Sequence, residues 1–386
     1  MISSILILAL AFLSLIALMI IHEFGHFIIA KKFGVRVDEF GIGYPPRIFG
    51  KKIGETIYSI NWIPLGAFVR IYGEEGGVDD YRSFTKLKIW QRVLIIIGGV
   101  VAFWIAAMIL FSVVFAIGAN LPVADSQSTQ GFTNIHVEVF SVVPNSPAST
   151  AGLKVGDTLL EVRSAKYESA NYGPEVLKID KTKDFQEFTK KHAGEELTLD
   201  VQRAGHTVSL KLTPRVNPPD GQGPVGIGLE RMGTFMKKYA FYEAPFRGIA
   251  YTWETTWNSL KGLWKVIADL FNHKPLPEGA ATFAGPLGIS VFLANAFSYG
   301  IGFFIYFIGV ISVLVAIFNL LPIPALDGGK LVFLLIEKIK GKPVSVKVEQ
   351  AITVVFFAIL ICLSLYITVR YDFPRISDYF KSSLQR

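Results

Sequence analysis

A single cysteine, Cys362, excludes an intramolecular disulfide framework, and it sits inside an apolar run. Charge is also scarce. Asp, Glu, Lys and Arg make up 18% of the 386 residues, against about 25% in soluble domains. Apolar residues reach 51% and the mean hydropathy is +0.44, which places much of the chain in lipid. The start, Met1-Ile2-Ser3-Ser4, has no basic residue, and no small-residue cleavage site follows it. The first apolar run therefore reads as a retained span rather than a signal peptide. The formal charge of +7 fits lysines and arginines facing an anionic bilayer surface, with no nucleic acid as partner.

Four stretches are long and apolar enough to span: Ile2 to Ala30, Val93 to Ala119, Ile301 to Leu321 and Ala351 to Val369. Each approaches the roughly twenty residues a hydrocarbon core requires. The loop between the first two carries Lys31, Lys32, Arg36, Arg47, Lys51, Lys52, Arg70, Arg82, Lys86 and Lys88. The loop between the last two carries Lys330, Lys338, Lys340, Lys342 and Lys347. Basic short loops stay cytoplasmic, so both termini are expected outside. Arg370, Arg375, Lys381 and Arg386 after the fourth span run against that orientation.

The expected domains follow from these spans. Residues 1–119 and 301–386 form two halves of a membrane core, with a folded domain at 123–232 and a helix plus linker at 240–300. Within 123–232, His136 to Val139 and Leu197 to Val201 read as strands among turn residues. Trp253, Trp257, Leu260, Trp264, Ile267 and Phe271 recur at steps of four and three, one stripe of a helix. Either a buried core helix or an interfacial helix fits that stripe. Its tryptophans, with Lys261 and Lys265 off the stripe, favour the interface.

The first span contains His22-Glu23-Phe24-Gly25-His26. Residues four apart share a helix face, so both imidazoles can reach one ion while Glu23 faces a water beside it. Zinc, Zn2+, suits such ligands. At 1.5 Å per residue from Lys31, His22 lies roughly 13 Å inside the boundary. Three ionisable side chains at that depth need partners. Histidines satisfied by backbone would leave Glu23 unexplained.

Two histidines and a water leave a tetrahedral zinc one protein ligand short. Asp327 is the candidate. It follows Asn319-Leu320-Leu321-Pro322-Ile323-Pro324-Ala325-Leu326 at the end of the third span, on the same side as His26. Two prolines stop the helix there, and irregular backbone at membrane depth needs protein or water around it. The alternative is an exit turn in which Asp327 caps the next helix.

The two motifs, in this order on the first and third spans, resemble the site-2 protease family. The likeness is to its bacterial regulator-of-sigma-E protease branch, as a shorter member. The resemblance implies a polytopic α-helical membrane protein with a membrane-dipping β-hairpin on the cytoplasmic side and one extracytoplasmic PDZ-like domain. It implies a bacterial cytoplasmic membrane and an intramembrane zinc metalloprotease that cuts single-span membrane proteins, anti-sigma factors or remnant signal peptides among them. His22, His26 and Asp327 would be ligands, Glu23 the base, and Asn319 a hydrogen-bonding group near substrate. The apolar loop Thr56 to Tyr72 reads as two strands joined at Pro64 to Gly66, whose edge, Ala67, Phe68, Val69, Arg70 and Ile71, would pair with unwound substrate. Ser146 to Leu160 resembles the turn-helix-turn of bacterial PDZ domains, and Ala284 to Ile289 the approach to the third span. Where the family often has Gly-Pro-x-x-Asn on span two, this chain has Gly99-Val100-Val101-Ala102, without the asparagine.

Two other classes compete. A PDZ-bearing scaffold or pseudoprotease with structural zinc would not need Glu23. A metal transporter would need ionisable residues along a path, and spans two and four have none in their interiors. Zinc content together with cleavage of a single-span substrate separates the three.

Overall fold

The structure, a computed structural model, describes residues 2–74, 76, 80–123, 125, 132–143, 145–164, 175–203, 205–219, 222–235, 239–272 and 284–384. The chain divides into two units. One comprises 1–116, 239–264 and 283–386, the other 117–238 and 265–282.

In the first unit, α1 (Ile2–Lys32) leads to β1 (Val37–Ile53) and β2 (Thr56–Ile71). A 3-10 turn at Phe84–Lys86 then precedes α2 (Ile89–Ile117). The second unit holds β3 (Asn120–Pro122), β4 (Phe132–Val142), α3 (Pro147–Thr150), β5 (Thr158–Ser164), β6 (Val176–Lys178), α4 (Thr182–Lys191), β7 (Leu197–Arg203), β8 (His206–Leu212) and β9 (Ile227–Phe235). The helices α5 (Ala244–Phe271), α6 (Pro286–Ser298), α7 (Ile301–Asn319), α8 (Asp327–Lys340), α9 (Val346–Ile367) and α10 (Phe373–Leu384) complete the chain.

Among the described residues, four helices, α1, α2, α7 and α9, are long and apolar enough to cross a membrane. They fall on the four runs expected. The chain is thus a polytopic membrane protein with a separate β-sheet region. In lipid, helices associate through close packing rather than through hydrophobicity, so small residues mark the contacts. A Cβ built on Gly25 of α1 would lie 2.2 Å from the Gly98 carbonyl oxygen and 2.8 Å from the Ala102 Cβ of α2. Around this crossing Ala11, Leu18, Val100, Phe103, Leu293, Phe304, Ile308 and Ile311 form one buried cluster. The Ser312 hydroxyl donates to the Phe103 carbonyl at 2.8 Å, joining α7 to α2.

The expectation of a linker through residue 300 fails. Pro286–Ser298 is a helix, and its Leu293 and Ala294 belong to the membrane core. Proline at its first turn lacks only a donor that would go unpaired there. The buried Asp372 side chain accepts from the Gly285 amide at 3.1 Å just before it. Trp253, Trp257, Leu260, Trp264 and Phe271 on α5 are all exposed, so the stripe is not a core face.

The apolar loop after α1 is wired differently from a simple hairpin. Val37–Ile42 pairs antiparallel with Ala67–Ile71, from Val37↔Ile71 to Ile42↔Ala67. On its other side Glu39↔Ile57 to Ile42↔Ile60 advance together, and Arg47–Ile53 then pairs antiparallel with Thr56–Asn61. The two halves of β2 therefore flank the start of β1 instead of each other. Each half carries an alternating apolar face, so self-pairing was the natural reading. The start of β1 offers the same alternation and takes the central place. The buried Glu39 joins three of the segments. It accepts from the Ser59 hydroxyl at 2.7 Å and from Arg47 at 2.7 Å, and lies 3.6 Å from Arg70. Burial alone would raise its pKa, but the Ser59 and Arg47 bonds hold it below the usual carboxylate range.

In the second unit the sheet order is β3-β9-β4-β5-β7-β8, with β6 beside β5. The sheet extends slightly beyond the expected 123–232, from Asn120 to Phe235. Alternation along β4, β5 and β7 buries Val137, Val139, Leu159, Val162, Leu197, Leu199 and Val201 against Phe185 and Phe188 of α4. Ser146 caps α3 by accepting from the Ser149 amide, with Pro147 in the first turn. Asp157 takes two bonds from Arg203, at 2.7 and 2.6 Å.

Candidate metal centre

His22 and His26 are one helical turn apart on α1, 5% and 7% exposed. The His26 Nδ1 lies 2.9 Å from the Ile95 carbonyl of α2, the bond that leaves its Nε2 free as an acceptor. The two Nε2 atoms are 3.2 Å apart. His22 stacks on Phe103, with centroids 4.6 Å apart. Gly99 is the floor of the site, since a Cβ there would lie 2.3 Å from His26 Nε2 and 2.6 Å from His22 Cε1.

Asp327 arrives from the other half of the core. After α7 the chain breaks at Leu320 to Leu326, where Ile323 and Leu326 amides close short turns onto Leu321 and Ile323. Gly328 and Gly329 let α8 start against this break. Their Cβ positions would lie 2.1 Å from the Leu321 carbonyl oxygen and 2.3 Å from that of Ile323. Leu326, not Asp327, is the N-cap, so the capping alternative does not hold. Asp327 Oδ2 stands 3.4 Å from each histidine Nε2.

These distances test the fit of a zinc ion. Metal–ligand lengths of about 2.0–2.1 Å put the edge of a tetrahedron at about 3.3–3.4 Å. The observed edges are 3.2, 3.4 and 3.4 Å. Asp327 Oδ2 is buried and receives no hydrogen bond of ordinary geometry from the described residues. A buried acceptor in that state is costly unless a cation satisfies it. Among the described residues, His22, His26 and Asp327 are the one cluster with metal-binding spacing. The donor set fits.

Glu23 lies on α1 between the histidines, half-buried, with His26, Asp327, Lys330 and Glu74 as electrostatic neighbours. The Ala67–Ile71 segment lies at an edge of its sheet and borders a groove of about 660 Å³ lined by Phe68 to Glu74 with Tyr44 and Pro45. Asn319 is not drawn to the cluster. Its amide donates to the Val315 carbonyl of its own helix at 3.0 Å. Sequence reasoning missed Gly25, Gly98 and Gly99 as packing residues, Phe103 as the ring under His22, and the Lys330–Glu74 pair. Adjacent glycines within a span were the available signal for the first group.

Two imidazoles and a carboxylate at metal-binding spacing, with a glutamate beside them on an apolar helix, fit a membrane-embedded metallopeptidase. The comparisons give the family: residues 10–363 match the Peptidase family M50, and the chain belongs to it. It is 32% identical to "Putative zinc metalloprotease CPE1693" of Clostridium perfringens, over 93% of this chain and 96% of that one. It is 27% identical to the regulator of sigma-E protease RseP of Escherichia coli, over 86% and 91%. Identity to the zinc metalloprotease RasP of Geobacillus kaustophilus is 26%, over 91% and 94%. The protein is an intramembrane zinc metalloprotease.

Proposed function

We propose that His22, His26 and Asp327 hold the zinc, and that Glu23 is the general base. The observation that carries this is the ligand triangle, with edges matching a tetrahedral ion, beside Glu23 on the same helix. Bound zinc supplies Lewis acidity, polarising the scissile carbonyl and lowering the pKa of water at the site to about 7. Glu23 takes the proton of the attacking water and later delivers it to the leaving amine. The Ile95 carbonyl fixes the His26 ring, and Gly99 admits both rings against α2.

The substrate is a membrane-spanning segment of another protein, presented as an extended strand along Ala67–Ile71. A helix shields its own peptide bonds, so a span must open before hydrolysis, and strand addition replaces the lost bonds. The free edge and the groove beside it support this role for Ala67, Phe68, Val69, Arg70 and Ile71. Asn319 is assigned to substrate only if its side chain leaves Val315. Residues 123–232 are read as a PDZ-like domain from the Ser146 to Leu160 turn-helix-turn. The α5 stripe is read as lying on the membrane surface. Basic short loops support cytoplasmic placement of the β1–β2 sheet in a bacterial inner membrane, with termini and β-domain outside.

The test combines metal analysis with cleavage of a single-span substrate. Glu23→Gln should keep stoichiometric zinc and abolish cleavage, because an amide cannot accept the proton. Asp327→Ala should lose both. Stoichiometric zinc in Asp327→Ala would place the third ligand elsewhere.

A further inference from the structure

The last residue of the edge segment, Ile71, opens a tight turn. The Glu74 amide donates to the Ile71 carbonyl at 3.2 Å, and the Phe84 amide to the Tyr72 carbonyl at 2.9 Å. Gly73 has a φ of +73° there, and a Cβ on it would lie 1.9 Å from the Ser83 hydroxyl oxygen. The turn is therefore fixed on its own side. What it carries toward the metal centre is the Glu74 carboxylate, which accepts from Lys330 Nζ at 2.5 Å.

Lys330 lies three residues after Asp327 on α8, one turn along the same face. The start of α8 is seated on the Pro-rich break, and its far end is tied to α2 by Arg92 and Glu337, through two bonds of 2.9 and 2.5 Å. Lys330 thus extends from a rigid helix. Glu74 extends from the end of the edge strand. Glu74 also borders two cavities, the groove of about 660 Å³ along the strand and a second of about 650 Å³ lined by Phe84, Arg92, Lys330, Glu337 and Val346. The pair stands where strand edge, α8 and both cavities meet.

We propose that Lys330 and Glu74 form a strut that sets the register of the Ala67–Ile71 edge against the Asp327 carboxylate, making both positioning residues that choose which substrate bond is cut. The inference rests on the edge-strand reading given above. The pair is only partly buried, with side chains 44% and 21% exposed. An ion pair open to solvent on one side adds little stability, so the strut's contribution is to position rather than to fold. Strand residues advance about 3.3 Å each. A shift of that size along the edge brings a neighbouring peptide bond to the centre. Misplacement by about 1 Å can slow a reaction by up to about a hundredfold, and a partial loss of register costs less.

The experiment measures zinc content, melting temperature, kcat/KM and, by mass spectrometry, the cleavage site in a single-span substrate. Glu74→Gln is isosteric and sits in a turn held by backbone bonds, so it folds independently of the pair. Glu74→Gln and Lys330→Met should keep zinc, lose about tenfold in kcat/KM and spread cleavage over adjacent bonds. Lys330→Arg should keep one site. Loss of zinc in these variants would make the pair a metal-retaining feature. Slower cleavage at one unchanged site, or wild-type behaviour, would equally overturn the strut. Val69→Pro separates the two readings, because it removes an amide from the edge strand and disturbs its extended pairing without touching the pair. If Val69→Pro cuts normally while Val69→Ala does too, the edge-strand reading fails and the strut with it. If Val69→Pro is inactive and the strut variants cut at one site, only the strut fails.

Discussion

The spans α2 and α9 are equally apolar and differently used. Their mean hydropathies are 2.8 and 2.7, yet 39% of the most apolar stretch of α2 is buried and 0% of that of α9. The difference lies in residue size. On α2, Gly98, Gly99, Ala102, Ala106 and Ala107 let backbones approach, and the site is built against that face. On α9, Val354, Val355, Phe357 and Ile359 stand out on every side. Hydropathy identifies a span, and small residues decide whether it enters the core.

The largest expected effect is at Gly99. A methyl placed 2.3 Å from His26 Nε2 forces both rings off the geometry fixed by Ile95 and Phe103. Gly99→Ala should therefore lose zinc and activity together, although it only adds a carbon to an apolar helix. Metal analysis of the purified variant checks this. Retained zinc would show that the α1–α2 crossing yields, and would weaken the contrast with α9.

A smaller effect is expected at Phe103, which is fully buried and stacked on His22. Truncating a buried Phe costs about 3–5 kcal/mol in water-soluble cores. Here the unfolded reference stays in lipid, so much of the transfer contribution cancels and the packing loss remains, about 2 kcal/mol. Thermal unfolding in detergent gives the value. Zinc affinity should fall with it, since His22 loses the ring that orients it.

How much was readable in advance follows the same division. The four spans, His22, Glu23 and His26 were legible because hydropathy and helical spacing are local. Asp327 was legible because prolines interrupt an apolar run beside a carboxylate. The order of strands around Val37–Ile42 was not. Three segments share the same alternation, and pairing among them depends on contacts such as Glu39 with Ser59 and Arg70. Pro286–Ser298 was hidden because thirteen residues are too short to register as a span, and only packing against Ala11 and Phe304 gives them a place.

The smallest effect should be on α9. Phe357 is 54% exposed within the helix, so in a bilayer its ring is expected to meet lipid rather than protein. Phe357→Ala removes as much side chain as Phe103→Ala, from a helix of similar hydropathy. No protein cavity forms, because lipid chains fill the space, so the change in stability should stay within about 0.5 kcal/mol. Zinc content and cleavage should match the wild type. Measured side by side in one detergent, the two substitutions hold chemistry constant and vary only the packing partner. A Phe357→Ala cost equal to that of Phe103→Ala would mean that α9 is packed against protein when the enzyme is in the bilayer. The contrast between the two spans would then belong to one conformation and not to the fold.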